Sequence, residues 1–458
     1  MYIKETIKNT TLAISIIIIA NLAMYIFAFW TGSIRLIVNI DYFIPLLFLA
    51  FRKNLLFIFS FILISLYDFL MIFSQIFPFI RINDVIYLLK FSFMSSTTYK
   101  IYGLVLIFFL FFQIFFIIKT NFAKLNTYLL VLFNICILFY AFYVHFQENS
   151  GGKFWKPNEK QLVASQLVNY FEYRNKGFIK TYDMEGLAFQ NTEIRGATKN
   201  LFDQNKIQNE KILLVINESW GVPITSDIQK NILKPLLNNS NIKNIKQSEV
   251  SFNGFTIAGE LRELCQKVPN HFNLKNQTTG FDNCLPHKFK NKGYYTVAVH
   301  GALGLMYDRQ HWYPRAGFEK ILFRDSGLNL PNSHCYSFPG NCDRDIAQRI
   351  QSEFKNNNNL FLYWLTLNTH AIYDQRDLIV DKFNCKIFYI KEDTASCRNL
   401  KLQAQFFDTL GNLINNPEFN GTRVIIVGDH APPIIQSEKP VFKENLVPII
   451  DFEINIIK

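Results

Sequence analysis

The chain has 458 residues, enough for two or three domains, and half of them are hydrophobic. Because the hydrophobic excess lies before residue 147, the composition excludes a chain that is soluble throughout. The formal net charge of +11 is not gathered into a dense basic run. It therefore argues against nucleic-acid binding and favours anionic lipid headgroups or phosphate-bearing substrates.

The first 146 residues contain five apolar stretches, and a helix needs about 20 apolar residues to cross a bilayer. We therefore predict an N-terminal bundle of five transmembrane α-helices over residues 1–146. The second stretch is the shortest, and it contains Asp41 and Pro45. The five stretches are Leu12–Trp30, Leu36–Phe51, Leu55–Phe77, Ile101–Ile118 and Tyr128–Phe146.

Basic residues beside these stretches indicate the orientation, because lysine and arginine are enriched in cytoplasmic loops. With five spans, the three main basic clusters fall on the cytoplasmic side, and everything after residue 147 falls outside. The clusters are Lys4 with Lys8, Arg52 with Lys53, and Lys119 with Lys124. The sequence thus predicts a multi-pass membrane protein with an extracytoplasmic C-terminal part.

Two further segments follow the membrane part. A polar connector is expected over residues 147–206, with one amphipathic helix at Gln161–Tyr173. Over residues 207–458, short apolar runs alternate with helix-compatible stretches, which is typical of an α/β domain. The clearest strands read KILLVIN, YYTVAVH, NLFLYWLTLN and RVIIVGD. Each is almost continuously apolar, as expected in a mostly parallel central sheet that is buried on both faces.

The C-terminal part also contains six cysteines, an even number that indicates disulfides in an exported domain. Six cysteines allow 15 connectivities, of which pairing between sequence neighbours is the simplest. The alternative is that all six are reduced thiols in the core. The neighbour pairs are Cys265–Cys284, Cys335–Cys342 and Cys385–Cys397.

The four predicted strands end on polar groups, namely Glu218, His300, His370 and the pair Asp429 and His430. In open α/β sheets, ligands bind at the carboxyl ends of the strands. Carboxylate oxygens together with imidazole nitrogens suit Zn or Mn better than Ca, which takes more oxygens. The sequence therefore predicts a metal site, and the alternative is a set of ordinary polar residues at strand ends.

A candidate nucleophile occurs in SFNGFTIAGELREL, where Thr256 follows a glycine-containing turn and opens a predicted helix. A hydroxyl at a helix N-terminus lies at the positive end of the helix dipole. A divalent cation would lower its pKa further and make the alkoxide usable near neutral pH. The alternative role for such a threonine is an N-cap.

Five motifs in this order, NESWG, GFT, HG followed by YDR, NTH and GDHAPP, resemble the alkaline phosphatase/sulfatase superfamily. Within it, the chain is similar to the membrane-bound lipoteichoic acid synthase-like proteins and phosphoethanolamine transferases. The resemblance implies that Glu218, Thr256, Asp429 and His430 hold a divalent metal and that Thr256 is the nucleophile. It also implies a bacterial inner (cytoplasmic) membrane, with the catalytic domain on the periplasmic or extracellular side.

The same resemblance assigns substrate contacts. His300, Tyr307 and Arg309 stand where the lipoteichoic acid synthases have a histidine, a tryptophan and an arginine that contact the phosphoglycerol group. His370 matches a histidine near the phosphate. For Arg309 the expected role is physical as well, since a guanidinium clamps phosphate oxygens through two parallel hydrogen bonds.

The expected activity is a metal-dependent transfer of a phospho-alcohol headgroup, phosphoethanolamine or phosphoglycerol. The donor would be a membrane phospholipid, the acceptor an envelope glycan or lipid, and the intermediate a covalent phospho-threonine. The alternatives are a phosphatase or phosphodiesterase of the same superfamily, and a non-catalytic envelope protein. The run GELREL after Thr256 is typical of neither transferase subgroup, so the headgroup is left open. Sulfatases proper are disfavoured, because Ala258 and Glu260 stand where their C/S-x-P-x-R motif needs proline and arginine.

Overall fold

The computed structural model of this chain describes residues 2–31, 35–76, 97–124, 127–147, 163–168, 180–182, 184–203, 207–371, 373–434 and 439–456. The chain divides into two compact units, Met1–Asp183 and Met184–Lys458.

The first unit is built mainly from helices that coincide with the apolar stretches. The helices are α1 (Tyr2–Thr31), α2 (Phe43–Ala50), α3 (Asn54–Ile76), α4 (Thr97–Lys124) and α5 (Thr127–Gln147). Two short strands, β1 (Val38–Asn39) and β2 (Val163–Ala164), pair in parallel. Buried alanine, isoleucine and phenylalanine side chains form the core between these helices.

In the ranges of the chain that the structure describes, two helical segments are long and apolar enough to cross a membrane, Thr10–Phe29 and Asn54–Ile72. The other apolar helical segments in the described part of the chain are shorter, namely Ile40–Ala50, Gly103–Lys119 and Val131–Tyr143. The structure thus contains helices at all five predicted places, but a bundle of five full spans is not confirmed.

The second predicted span needs correction. Within Leu36–Phe51 the α-helix has only eight residues, about 12 Å at 1.5 Å per residue, against about 30 Å of hydrocarbon. Polar contacts interrupt the stretch at its start. The Asp41 carboxylate accepts the Leu167 N–H at 2.8 Å. Just before the stretch, Arg35 donates through Nε to Asp68 at 3.1 Å, which neutralises the acidic group inside α3.

The predicted connector is divided between the two units. Of the amphipathic helix expected at Gln161–Tyr173, only residues 163–168 lie in the described part, and they begin with β2 rather than with a helix. The rest of that helix lies outside the described residues. Strand β3 (Phe189–Glu193) belongs to the second unit, where it pairs with β6 (Lys267–Pro269).

The described residues of the second unit form a sheet of seven strands. The strands are β4 (Lys211–Asn217), β5 (Ile242–Ser251), β7 (Tyr295–His300), β8 (Lys320–Leu322), β9 (Leu360–Leu365), β10 (Arg423–Gly428) and β11 (Leu446–Ile454). They lie in the order β5-β11-β10-β4-β9-β7-β8. The strands from β10 to β8 are parallel, and β11 and β5 add an antiparallel edge, so the predicted α/β class with a mostly parallel sheet is confirmed.

Among the described residues of the second unit, seven α-helices accompany this sheet. They are α6 (Ser226–Ile232), α7 (Lys234–Leu237), α8 (Thr256–Cys265), α9 (Leu285–Asn291), α10 (Arg309–Ala316), α11 (Asp343–Asn356) and α12 (Ala395–Leu413). The central strands read as continuous apolar runs because helices cover both of their faces. In β9 every residue from Leu360 to Leu365 is buried.

The register of the parallel strands shows that four of them end at the same level of the sheet. Gly428 of β10 pairs with Asn217 of β4, and Leu365 of β9 pairs with both Ile216 and His300. Because these four strands are parallel and adjacent, the residues that follow them emerge at one edge of the sheet.

Two of the three predicted cysteine pairs are joined, Cys265–Cys284 and Cys385–Cys397, which rules out six reduced thiols. The third predicted pair is not joined in this structure. The Sγ atoms of Cys335 and Cys342 lie within 4.8 Å of each other, and the Cys342 thiol donates to the His334 carbonyl at 2.9 Å.

Peptide mapping without reduction is expected to recover both joined pairs. They close separations of 19 and 12 residues, and the chain-entropy model assigns about 3 kcal/mol of stabilisation to each. Replacing both cysteines of one pair by alanine should therefore lower the free energy of unfolding by that order. Free thiols at Cys265 or Cys385 in the exported protein would contradict this expectation.

Candidate active site

The four predicted metal-binding residues come together at the carboxyl edge of the sheet. Glu218 follows β4, and Asp429 and His430 follow β10. One ligand atom from each of these three residues lies within 4.8 Å of the other two. The Thr256 hydroxyl lies 3.2 Å from Oε2 of Glu218 and 3.5 Å from Nε2 of His430.

Backbone contacts hold the ends of β4 and β10 together. Ser219 takes up a left-handed conformation with φ 52°, which turns the chain sharply after Glu218. Its N–H donates to Oδ1 of Asp429 at 2.8 Å, and the N–H of His430 donates to the same oxygen at 2.7 Å. The N–H of Glu218 donates to the Thr366 hydroxyl at 2.9 Å. One oxygen of Asp429 is therefore saturated by structural hydrogen bonds.

The second oxygen of Asp429 is available to a metal. Among the described residues no hydrogen bond reaches its buried Oδ2 atom, and Nε2 of His430 lies 3.3 Å from it. A buried carboxylate oxygen that accepts no hydrogen bond is costly, and a cation close to it lowers that cost. Two carboxylates, an imidazole and a hydroxyl form the mixed oxygen and nitrogen set that suits Zn or Mn. The residues present thus fit a divalent metal.

The electrostatics of the site agree with this fit. Burial and then the neighbouring Glu218 carboxylate raise the pKa of Asp429 to about 7. Burial opposes the charged form of His430, but Asp429 and Glu218 outweigh it and raise the pKa of His430 to about 10. Burial likewise disfavours ionised Glu218, and His370 and His430 overcome it to lower the pKa of that carboxyl. Ionised Glu218 thus compensates a cationic His430, and a bound cation would displace the protons of His430 and Asp429.

Thr256 is the first residue of α8, and its hydroxyl is not used as a helix cap. Phe255 occupies the N-cap position in extended conformation, and no side chain caps this end. The Thr256 hydroxyl instead donates to Glu218, and the residue is 5% exposed. The hydroxyl therefore lies at a helix N-terminus beside Glu218, where the predicted nucleophile is expected, and the N-cap alternative does not describe it.

Two further predicted residues lie at the same edge of the sheet. His300 ends β7, and its Nδ1–H donates to the Leu365 carbonyl at 3.0 Å, which leaves Nε2 as an acceptor. Burial and the Arg309 guanidinium lower the pKa of His300 to about 3, so its imidazole is neutral near pH 7. His370 follows β9, and its ring contacts that of Phe338 at 4.8 Å between centroids.

Arg309 does not occupy the position expected of a phosphate clamp. Its Nε and Nη2 atoms donate to Oε2 of Glu260 at 3.0 and 2.7 Å, and the residue is 2% exposed. Glu260 also accepts from the hydroxyls of Tyr313 and Tyr363. The guanidinium fork is thus already filled by a carboxylate, so the predicted clamp is corrected to a buried ion pair.

Tyr307 is held next to this ion pair. The Arg309 guanidinium lies 4.8 Å from the centre of the Tyr307 ring. Tyr307 and Asp308 have φ angles of 57° and 55°, a left-handed conformation that is costly for residues with side chains. Asp308 accepts the Leu274 N–H at 3.2 Å, and Trp312 donates to the Tyr307 carbonyl at 3.1 Å. Strained backbone fixed in this way is typical of functional sites.

Sequence analysis missed the buried polar residues that support the site. Gln403 of α12 donates to the Glu218 carbonyl at 3.1 Å and accepts from Asn217 at 2.7 Å. Glu260 and Arg262 of α8 are both fully buried. For Glu260 and Arg262 the run GELREL was the available signal, because it places charged residues on a helix that begins beside the predicted metal site. Charged residues that are buried there need partners of opposite charge.

A family model and several solved structures relate the chain to known proteins. The family model described as Sulfatase matches residues 211–445. No curated protein matches the sequence.

Among solved structures, the lipoteichoic acid synthase LtaP from Listeria monocytogenes is 16% identical, with a TM-score of 0.42 over 56% of this chain and 71% of that one. The phosphoglycerol transferase GacH from Streptococcus pyogenes, in complex with sn-glycerol-1-phosphate, is 14% identical, with a TM-score of 0.40 over 58% and 78%. The lipooligosaccharide phosphoethanolamine transferase EptA from Neisseria meningitidis, an integral membrane protein, is 11% identical, with a TM-score of 0.37 over 97% and 88%.

The sulfatase model spans more than half of the chain. It contains all four strands that carry the site residues, together with Thr256. The predicted alkaline phosphatase/sulfatase superfamily is thereby confirmed, and the chain belongs to the sulfatase family.

Proposed function

We propose that this chain is a metal-dependent transferase that moves phosphoethanolamine or phosphoglycerol from a membrane phospholipid to an envelope glycan or lipid. The observation that carries the proposal is the Thr256 hydroxyl, which lies 3.2 Å from Glu218 and 3.5 Å from His430, two of the three residues whose ligand atoms lie within 4.8 Å of one another and could hold a divalent cation. A nucleophilic hydroxyl beside a metal site suits transfer through a covalent intermediate.

Two displacements at phosphorus make up the proposed reaction. Oγ1 of Thr256 bonds to phosphorus while the bond to the diacylglycerol oxygen breaks. An acceptor hydroxyl then bonds to phosphorus while the bond to Thr256 breaks. The departing diacylglycerol gains one proton and the acceptor hydroxyl loses one, so the overall transfer neither consumes nor releases protons.

The metal would be held by Glu218, Thr256, Asp429 and His430. When bound, Zn or Mn would lower the pKa of the threonine hydroxyl and offset charge on the phosphate. In this structure the Thr256 proton is held by Oε2 of Glu218. Thr256 also begins a helix of ten residues, whose dipole favours negative charge at that end.

His300, Tyr307 and His370 are proposed to contact the phospho-alcohol group. A neutral His300 with an unprotonated Nε2 is suited to accept a hydrogen bond from a hydroxyl, either of a glycerol headgroup or of the acceptor. Arg309 is proposed to position Tyr307 without touching the substrate. Its ion pair with Glu260 holds the backbone turn that carries Tyr307.

Membrane attachment follows from the nature of the donor. A phospholipid headgroup stays at the bilayer surface, so an enzyme tethered there keeps its active site near the substrate. We propose residues 1–146 as the membrane domain, 147–206 as the connector and 207–458 as the catalytic domain. The apolar segments Thr10–Phe29 and Asn54–Ile72 support the tether, and two disulfides support an oxidising compartment such as the periplasm. The partners would be the phospholipid, the envelope acceptor and the membrane.

The test uses the full-length protein in phospholipid nanodiscs with Zn or Mn. Phosphatidylethanolamine and phosphatidylglycerol carrying isotope-labelled headgroups are supplied separately, together with envelope glycan and lipid fractions. We expect one diacylglycerol for each headgroup mass added to an acceptor, and neither product with Thr256→Ala. Diacylglycerol formed without any acceptor product would instead identify a hydrolase. No diacylglycerol from either lipid with either metal would support a non-catalytic protein.

A further inference from the structure

Helix α8 carries three charged residues that have no exposed surface at all, Glu260, Arg262 and Glu263. Burying a charge is costly, and pairing it often recovers no more than the cost. Three buried charges on a ten-residue helix are therefore poorly explained as a source of stability. Their partners indicate what they hold in place, and for Arg262 those partners belong to the predicted metal site.

Arg262 joins α8 to the loop that carries two of the predicted metal ligands. Its Nη2 atom donates to the Gly428 carbonyl at 2.8 Å, and Nη1 lies 3.5 Å from the Asp429 carbonyl. Gly428 is the last residue of β10, so both contacts fall where the strand ends and the ligands begin. The Phe252 ring lies 4.2 Å from the guanidinium carbon and closes off its flat face.

The guanidinium is fixed in this orientation by a second carboxylate. Glu263 accepts from Nε of Arg262 at 2.5 Å, which satisfies the edge of the fork that faces away from β10. The other oxygen of Glu263 accepts the N–H and the hydroxyl of Thr198, both at 3.0 Å. The charge of Arg262 is thus balanced without any contribution from the metal ligands.

Gly259 makes the same helix face lie directly against Asp429. A Cβ atom at this position would be 3.0 Å from the Asp429 carbonyl oxygen and 3.1 Å from its Cα atom. Residues three apart share one face of a helix, so Gly259 and Arg262 contact the same loop from successive turns. A side chain at this position would therefore need Asp429 to shift by a few tenths of an ångström.

We infer that Arg262 is a positioning residue for the metal site, which holds the Asp429 backbone at the distance from Thr256 that one cation requires. The inference rests on the metal site of the proposed function. It explains why a basic residue stands two turns after the nucleophile with no access to substrate. Groups that orient a metal ligand without touching the metal typically change metal affinity by about 10- to 100-fold when they are replaced.

The experiment measures Mn²⁺ and Zn²⁺ affinity of the full-length protein in detergent, with circular dichroism to verify folding. Arg262→Lys keeps the charge but loses the fork, so it should bind metal about 10-fold more weakly. Transfer activity should return toward the wild-type level as metal is raised, which a general loss of packing would not show. Arg423→Lys is the matched control, because Arg423 pairs with Asp451 at the opposite end of β10, and its metal affinity should stay within about twofold of wild type.

Gly259→Ala is the second variant, in case the lysine variant does not fold. Alanine favours a helix interior by up to about 1 kcal/mol over glycine, so α8 itself should be retained. The added methyl must displace Asp429, and metal affinity should fall as for Arg262→Lys. Wild-type metal affinity in every folded variant would overturn the inference and leave the proposed function intact. A wild-type protein that binds neither metal would overturn both.

Discussion

Replacing Thr256 by alanine is expected to abolish headgroup transfer, lowering turnover by more than about 1,000-fold. The variant loses Oγ1, the protein atom that bonds to phosphorus in the proposed reaction. The fold should be retained, because Phe255 and not Thr256 is the N-cap of α8. Stability should therefore change by no more than about 1 kcal/mol. Turnover is measured as diacylglycerol release from labelled phospholipid.

Two companion variants sharpen this test. Thr256→Ser keeps the hydroxyl and should retain part of the activity, whereas Thr225→Ala should retain all of it. Thr225 precedes α6 and makes no side-chain capping bond. This variant therefore shows the effect of removing a threonine before a helix that lies away from the site. Mass spectrometry of protein quenched during turnover should find the headgroup phosphate on the peptide containing Thr256. An active Thr256→Ala variant, or an adduct on another residue, would refute the covalent mechanism.

Replacing Asp429 by asparagine should remove the metal and, with it, the activity. The amide oxygen can still accept the N–H groups of Ser219 and His430, which Asp429 accepts through Oδ1. The carboxylate charge is lost, together with Oδ2, the oxygen that accepts no hydrogen bond and that is proposed to bind the cation beside His430. We expect metal content after gel filtration to fall below one tenth of wild type while the protein stays folded.

Asp451→Asn provides the comparison for this variant. Asp451 is on the neighbouring strand β11 and pairs with Arg423 at 2.7 Å, so its loss removes a carboxylate from the sheet without touching the site. It should bind metal as the wild type does. Treatment of the wild type with a chelator should stop transfer, and readdition of Zn or Mn should restore it. Stoichiometric metal retained by Asp429→Asn would show that the ligand set is wrong.

The four strands that carry the site could be predicted from the sequence because the central strands of a parallel sheet are buried on both faces. A strand covered on both faces needs apolar residues at every position, so β4, β7, β9 and β10 stand out as uninterrupted runs. The antiparallel strand β5 was missed, because most of its residues are exposed and its sequence, IKNIKQSEVS, has no such run. Edge strands carry a weaker signal for this reason.

Local sequence by itself determined which residues end these strands, and parallel topology requires that such ends meet at one edge. Glu218, Asp429 and His430 were therefore predictable as a group. Tertiary structure alone decided the partner of Arg309, because Glu260 lies 49 residues away and the pair forms only where α8 packs near α10. It likewise decided that Arg262 holds β10, 166 residues farther along the chain. The sequence gives the charge of each side chain. The partner of a buried charge depends on which polar group of opposite charge lies nearest after the helices and strands have packed.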